Sequence, residues 1–295
     1  MEAALSCRVA LAKPRNAAIS ACSSQGGSMG NLGLPECHGT LLSAEATTDS
    51  TQNQLLSALS PADREHLLSN LKPVTFSLGQ VICEPRRRIS SGYFLTDSIV
   101  SLLYTMESGC TAEIGLVGND GVVGVPIFLG GESTCSWAVV AVAGRGFAIP
   151  ANVLREEFSQ RLGFQNTLLR YAQALLTQVS QNAVCNRLHS VEQRLCRWLL
   201  LCQRRTNRIE LLMTQELIAQ MLGARRESVT VAAGHLQDLG LIHYCRGHIR
   251  VLNLSGLEAS ACECYRVIEE ERDRLFGRTG SWPVRQPRKP IEEVG

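Results

Sequence analysis

One short segment carries side chains that could read the edges of DNA bases. Arginine can grip guanine with two hydrogen bonds, glutamate accepts one from the cytosine amino group, and valine can touch the thymine methyl group. Arg226, Glu227, Thr230 and Val231 are spaced so that a helix places them on one outward face. We predict that these four side chains contact bases. Glu227 favours this over a merely solvated surface, because a carboxylate facing phosphates is costly unless it reads a base.

A second set of polar and basic residues suits the phosphate backbone. Phosphates accept hydrogen bonds from arginine, from hydroxyl groups and from the amides at helix N-termini. Thr214 and Ser228 supply hydroxyls near expected helix starts, and Arg225 and Arg246 supply positive charge. We therefore predict phosphate contacts for these four residues.

Two short helices that cross closely must position both sets. Thr214 is suited to cap the first helix, and Gly223 to end it, because glycine adopts the left-handed conformation freely. The second, recognition helix is predicted over 225–239, and the small Ala219 lets the helices approach. Two apolar faces favour a helix-turn-helix over an ordinary helical hairpin, namely Leu217, Ile218, Met221 and Leu222 on the first helix and Val229, Ala232, Ala233 and Leu236 on the second.

Two apolar runs after the recognition helix predict a β-hairpin. Residues 241–244 and 249–252 are joined by Arg246-Gly247-His248, which gives the hairpin a basic tip. Such a wing favours DNA binding. The local charge agrees, since residues 187–256 hold ten arginines and five acidic residues, a net +5, whereas the whole chain carries only +2. Charge alone leaves a solvated basic face open as the alternative.

The preceding part of the chain alternates short strands with glycine-containing turns. This pattern predicts a small antiparallel roll or jelly roll. Ahead of it, Ser60-Pro61 predicts the start of a short helix. The candidate strands are 76–83, 92–95, 99–106, 112–117, 137–143 and 146–149.

A long helix should follow the strands, and its apolar stripe could make a dimer. Leu168, Tyr171, Leu175 and Val179 recur at three-four spacing, and Asn182 continues the stripe. The stripe could pack on the chain's own core or on the same helix of a second chain. We favour the dimer, because a polar residue at a seam often fixes register.

The chain has 12 cysteines but no pair separated by two residues, so no standard zinc or redox motif is present. Cys185, Cys196 and Cys202 lie in apolar helical stretches, which predicts free buried thiols in a reducing cytoplasm. We predict no metal site, no cofactor and no catalytic residues. The early cysteines Cys7, Cys22 and Cys37 are evenly spaced, but in a sequence too loose to preorganise a site.

Over 53–257 the sequence resembles the Crp/Fnr family of bacterial regulators. The most specific stretches are 214–223, 226–229 and 239–242. The resemblance implies an α+β chain with an N-terminal antiparallel β-roll like those that bind cyclic nucleotides, a long dimerisation helix and a C-terminal winged helix-turn-helix. Arg226 and Glu227 match base-reading positions of the family, whereas Val231 stands where arginine is common. The expected divisions are a disordered extension at 1–50, the roll at 51–160, the dimerisation helix at 161–190, the DNA-binding domain at 191–260, and a helix and tail at 261–295.

The expected sensor domain departs from the cyclic-AMP-binding members. Those members carry Gly-Glu and, downstream, Arg-Ser, which hold the ribose and the cyclic phosphate. This chain has Gly124-Val125 and Cys135-Ser136 instead, so both charged partners are missing. Cyclic-nucleotide binding is therefore not expected, and the ligand of the roll is not identified. The spacing of Cys7, Cys22 and Cys37 does not match the closely spaced cysteines of iron-sulfur members.

These observations favour a cytoplasmic, dimeric, sequence-specific regulator that binds double-stranded DNA, contacts RNA polymerase and has no membrane segment. A ligand-sensing module that acts mainly through protein contacts is the alternative, and a salt-dependent DNA shift assay discriminates the two. An enzyme is not expected, because no Ser-His-Asp order or phosphate loop stands out.

Overall fold

The computed structural model describes residues 49–277. The predicted extension at 1–50, with Cys7, Cys22 and Cys37, lies outside these residues except for its last two, and so does the tail after 277. The described chain begins with helices α1 (Gln54–Ser57) and α2 (Pro61–Leu68). Ser60 caps α2 by accepting a hydrogen bond from the Asp63 amide, as the sequence predicts.

Eight antiparallel strands then form a roll of two four-stranded sheets, as predicted. The strands are β1 (Lys72–Phe76), β2 (Val81–Cys83), β3 (Ser91–Leu95), β4 (Ile99–Thr105), β5 (Thr111–Val117), β6 (Val122–Val123), β7 (Trp137–Val142) and β8 (Gly144–Pro150). One sheet has the order β1-β8-β3-β6 and the other β2-β7-β4-β5. Apolar side chains from both sheets, such as Phe94 and Val140, are buried in one shared core.

Residues 76–83 form two strands, so the single strand predicted there is wrong. The Gln80 amide donates to the Ser77 carbonyl over 3.0 Å, and Gly79 has a left-handed φ of 76°. This turn sends β1 and β2 into different sheets. Because glycine takes such a φ at little cost, the break depends on one residue that apolar patterning does not register.

Helix α3 (Val125–Phe128) lies between β6 and β7, and three helices follow the roll: α4 (Ala151–Gln160), α5 (Leu162–Leu188) and α6 (Val191–Thr206). The predicted long helix is α5, but its predicted dimer face is wrong at two positions. Leu168 and Tyr171 are only 0% and 5% exposed and belong to the core of the roll. Leu175 also packs against this core, and Val179 is half-buried.

Polar groups of α5 are used within the same chain as well. Asn182, predicted as a seam residue, is buried and donates to the Ile114 carbonyl over 3.1 Å. Gln178 donates to the Leu116 carbonyl over 3.1 Å. The inner stripe of α5 therefore packs on β5, and the carbonyl groups of this strand satisfy the hydrogen bonds of these buried side chains.

The C-terminal part is a winged helix-turn-helix followed by two helices. Its elements are β9 (Glu210–Leu212), α7 (Gln215–Leu222), α8 (Arg226–Asp238), β10 (Ile242–Cys245), β11 (His248–Val251), α9 (Leu254–Ser260) and α10 (Glu263–Phe276). The predicted hairpin is β10-β11, and β9 adds a third strand beside β11 that the sequence did not indicate. Three residues are too few for an alternating pattern to stand out.

Helix α10 returns to α5 and lies antiparallel to it. At one end the side chain of Gln173 donates to Glu271 over 3.1 Å, and at the other Cys185 contacts Cys262 over 3.5 Å between the sulfur atoms. Cys185, Cys196 and Cys202 are free and buried, as the sequence predicts, but the sequence did not indicate that Cys185 meets Cys262. Residues 77 positions apart meet there, a separation that local patterns do not report.

The winged domain packs on the roll through α6, and one hydrophobic core runs through both parts. Glu113 on β5 is buried in this contact, where it accepts hydrogen bonds from Ser101 (2.5 Å) and from the Trp198 indole (3.2 Å). Burial raises the pKa of Glu113 to about 7, although these two hydrogen bonds act to lower it. The domain limits stay predictions, because no break in the core marks them.

A buried ion pair crosses the same contact. Arg205 of α6 and Asp120 of the turn after β5 are 4% and 6% exposed and lie 2.8 Å apart. Arg205 also donates to the Leu116 carbonyl (2.6 Å) and to Gln178 (2.7 Å). The guanidinium thereby joins α6, α5 and the roll.

The raised pKa of Glu113 predicts that stability falls with pH. Between the ordinary value of 4.5 and about 7, the folded protein binds more protons than the unfolded chain. The stabilisation is thus complete at low pH and is lost as pH rises through 7, by about 3 kcal/mol. Glu113→Gln should remove this loss, as measured by urea unfolding at about pH 5 and pH 8.

The control variant is Glu156→Gln, which changes an exposed carboxylate on α4. It should keep the pH slope of the parent chain. An unchanged slope in Glu113→Gln would contradict our assignment of the pH dependence to this carboxylate.

Candidate nucleic-acid interface

The turn between α7 and α8 forms as predicted. Thr214 caps α7 by accepting a hydrogen bond from the Leu217 amide over 3.2 Å. Gly223 ends the helix with φ +56°, and a β-carbon there would lie 3.2 Å from that of Ala112. Glycine is needed both for the left-handed turn and for this close approach by the β4–β5 hairpin. The contact with the hairpin is a feature that sequence reasoning missed.

Helix α8 has a buried and an exposed face. Val229, Ala232, Ala233 and Leu236 are buried, as predicted. The four predicted base-contacting residues, Arg226, Glu227, Thr230 and Val231, are all exposed on the opposite face. Val231 is 72% exposed, an apolar side chain left largely in water. The structure therefore brings the four together, and their role as base contacts stays a prediction.

Thr230 differs from its neighbours because its hydroxyl is engaged. Its Oγ1 lies 2.9 Å from Oε1 of Gln215 and 3.0 Å from the Arg226 carbonyl. A hydroxyl has one hydrogen, so it donates to one of these acceptors at a time. Thr230 thus links α8 to the start of α7, and its lone pairs stay available to a base.

The predicted phosphate contacts lie around α8. Arg225, Thr214 and Arg246 are exposed, and Arg246 lies in the β10–β11 turn with φ +47°. Ser228 is half-buried and lies in an open groove with Glu192, whose carboxylate would repel a phosphate. Three of the four candidates are therefore exposed to solvent, Ser228 is less accessible, and the phosphate contacts stay a prediction.

The wing is tied to the start of α7. The Met213 amide donates to the Gly247 carbonyl over 2.6 Å, and the Tyr244 hydroxyl donates to the Met213 carbonyl over 3.2 Å. On the central strand β11, Arg250 lies 3.3 Å from Glu210 of β9. These contacts fix the basic tip at Arg246 relative to Thr214, so one rigid surface carries both.

The net charge of the region overstates its basic surface. Arg194, Arg197 and Arg205 are buried, at 8%, 3% and 4% exposed. Arg208 and Arg204 form ion pairs with Asp97 and Glu269. The exposed cations are concentrated instead near the start of α8 and in the wing, at Arg225, Arg226, Arg246 and Arg250.

Comparisons with known proteins agree with this geometry. Residues 193–260 match the family model described as a Crp-like helix-turn-helix domain. The protein has the Crp/Fnr fold with a Crp-like helix-turn-helix domain. A sequence search of curated proteins gives no significant match.

Solved Crp/Fnr structures are similar over most of their length. A Crp/Fnr transcriptional regulator from Eubacterium rectale is 17% identical, with 71% of this chain and 98% of that one covered and a TM-score of 0.55. FixK2 from Bradyrhizobium japonicum is 15% identical over 65% and 98%, with a TM-score of 0.56. The c-di-GMP-responsive regulator CLP from Xanthomonas campestris is 15% identical over 65% and 99%, with a TM-score of 0.53. At such identities the likeness establishes the fold.

The roll contains an apolar cavity of about 260 Å³. Gly124 and Val125 line it together with Ser136, whereas Cys135 is exposed outside it. None of the described residues that line the cavity is charged. It also reaches Leu176 and other side chains of α5.

The outer face of α5 carries a second apolar stripe, offset by one residue from the predicted one. Leu162, Leu169 and Leu176 recur every seven residues and are 70%, 43% and 68% exposed. Ala183 continues this repeat, and Val179 lies between its last two members. A repeat of seven is typical of helices that pair along a seam.

Among the described residues, no helix combines the length and the apolar character needed to cross a membrane.

Proposed function

We propose that the protein is a dimeric transcription regulator that reads an inverted repeat in double-stranded DNA through α8. The observation that carries this proposal is the exposed face with Arg226, Glu227 and Val231, beside the basic wing. Val231 is 72% exposed beside these two charged side chains. In a major groove, this apolar side chain can meet a thymine methyl group.

Dimerisation is proposed through the outer stripe of α5, which replaces the predicted face at Leu168 and Tyr171. Two copies related by a two-fold axis would pair Leu169 and Leu176 with their equivalents. Burial of these exposed leucines stabilises such a pair. The same axis would present two copies of α8 about 34 Å apart, which matches successive major grooves on one side of DNA. An inverted repeat follows from this symmetry.

Leu176→Glu should separate the dimer. The change would bury an unpaired carboxylate at the seam, at a cost of roughly 3–5 kcal/mol. We expect a monomer in light scattering at micromolar concentration.

Leu188→Glu is the matched control. Leu188 lies on the same helix and is 69% exposed, nearly as much as Leu176 at 68%, but it falls outside the seven-residue repeat. It should stay dimeric. A dimeric Leu176→Glu protein, or a monomeric Leu188→Glu protein, would place the interface elsewhere.

Regulation by this protein is proposed to be independent of cyclic AMP. The cavity of the roll offers apolar walls, including Val125, and no arginine to neutralise a cyclic phosphate. Its chemistry suits an apolar effector better than an anionic one.

Calorimetric titration with cyclic AMP and cyclic GMP should therefore give no binding at physiological concentrations. Transfer of the phosphate into walls of this kind leaves a charge without a partner, which is strongly unfavourable. Micromolar affinity for either nucleotide would contradict our interpretation of the cavity.

Arg226 and Arg225 are expected to play different roles in DNA binding, the first as a base contact and the second as a phosphate contact. Arg226→Ala should cost about 1–3 kcal/mol and relax the preference at one symmetric base pair in each half-site, because a guanine contact is lost. Arg225→Ala should weaken all sequences alike and lower the salt dependence by about one ion, since only a phosphate contact is lost.

Binding-site selection on randomised DNA with both variants measures these effects. If Arg226→Ala loses affinity but keeps the preferred sequence, Arg226 is a phosphate contact and the placement of α8 is wrong. Absence of any salt-dependent DNA binding would favour the ligand-sensing alternative that acts through protein contacts. As part of the regulator role, we also propose that the protein is cytoplasmic and contacts RNA polymerase.

A further inference from the structure

Four metal-binding side chains meet where α5 ends and α10 begins. Three residues separate Cys185 from His189 along the chain. Cys262 and Cys264 flank the first residue of α10. Their sulfur and nitrogen atoms all lie within 4.8 Å of one another. The sulfur atoms of Cys185 and Cys262 are 3.5 Å apart, as are Cys264 Sγ and His189 Nδ1.

The two separations of 3.5 Å match the edges of one tetrahedron around a metal ion. A zinc ion with bonds of about 2.3 Å to sulfur and about 2.0 Å to nitrogen separates its ligand atoms by about 3.5–3.8 Å. In an iron-sulfur cluster the four protein ligands are divided among two or more iron atoms, and ligands on different irons stand further apart than this. The arrangement therefore suits a single ion. Three thiolates and one imidazole are also a ligand set of structural zinc sites.

We propose that Cys185, His189, Cys262 and Cys264 bind one Zn²⁺ that fastens α10 to α5. The three thiols are at most 4% exposed, and the His189 side chain is 13% exposed. Closed sites of this kind are structural, because no position is left for a substrate.

The surroundings of His189 and the thiolates support the assignment. His189 Nε2 lies 3.2 Å from Glu263, which leaves Nδ1 facing the sulfur of Cys264. A carboxylate on the far nitrogen is the usual way to fix a metal-binding histidine.

Buried positive charge lies beside the cluster. Arg194 donates to Asn186, the residue after Cys185, over 3.2 Å, and Arg197 donates to Asn182 one turn earlier. Three thiolates on Zn²⁺ carry a net charge of −1, which these buried guanidinium groups offset. The same arginines would be poorly compensated beside neutral thiols.

Arg194 also links the surroundings of the site to the helix-turn-helix, because it donates hydrogen bonds to Asn186 beside Cys185 and to α7. Arg194 donates over 2.9 Å to the carbonyl of Leu222, the last residue of α7. A metal ion that holds α5 and α10 together would thus stabilise the position of Arg194, which contacts the end of α7. This consequence for DNA binding rests on the proposed function, whereas the metal site itself does not.

Metal analysis of the full chain, purified under reducing conditions, tests the proposal. Elemental mass spectrometry of the purified protein should find one zinc ion per chain. After the zinc is exchanged for cobalt, the protein should show the charge-transfer band of cobalt thiolates and the intense visible bands of a tetrahedral ion. Metal content is measured without DNA, so its result is independent of the regulator role.

Three variants sharpen the test. Cys262→Ser/Cys264→Ser should lose the zinc, and Cys196→Ala, which removes a buried cysteine outside the cluster, should keep it. Glu263 is 65% exposed, so Glu263→Gln should fold normally and weaken zinc affinity by about 10- to 100-fold through His189.

Several outcomes would overturn the site. These are a reduced parent chain that takes up neither zinc nor cobalt, zinc that persists in the double variant, iron with inorganic sulfide in place of zinc, and a Cys185–Cys262 disulfide in the protein as isolated. A cobalt spectrum without thiolate bands would do the same.

Discussion

The buried pair of Arg205 and Asp120 is the constraint on which the relative placement of the two halves depends. Removing both charges from water is costly, so the pair is stable only with further hydrogen bonds. Leu116 and Gln178 supply them on one side of Arg205. On the other side, Arg272 of α10 lies 3.7 Å from Asp120 and 2.9 Å from Glu269. Loss of one member would leave buried charge uncompensated, and four segments would lose their common anchor.

This anchor explains why α6 can serve two partners at once. Its apolar residues pack on the roll and on α8 in a single core, while Arg205 fixes the helix in rotation. Trp198 contributes to both, because its ring is buried and its indole nitrogen reaches Glu113. A helix held in this way fixes the helix-turn-helix against the roll, since close-packed interiors deform little.

Helix α10 is anchored at both ends by different chemistry. Near its C-terminal end, Arg272 joins the buried ion network, and at its start Cys262 and Cys264 meet Cys185 and His189. The roll and α10 thereby cover the inner face of α5, whereas its outer stripe of leucines stays exposed. Function in this fold thus depends on what each face of α5 and α8 presents, since the fold itself does not specify an effector or an operator.

Local patterns in the sequence predicted the elements well, because a helix repeats over a few residues. The Thr214 cap, the Gly223 turn and the buried face of α8 all follow from neighbouring residues. The pattern also predicted that Arg226 and Val231 would share an exposed face. The sequence did not predict strands as short as β9, since three residues carry too little periodicity.

The tertiary structure alone decided which face meets which partner. Leu168 and Leu169 are adjacent, and each belongs to a plausible apolar stripe, but only the packing of α5 on the roll buries the first and exposes the second. Likewise, counting arginines could not separate buried Arg205 from exposed Arg226. The meeting of Cys185 with Cys262 bridges 77 residues. Such contacts depend on how distant segments pack, and the geometry of a few neighbouring residues does not contain that information.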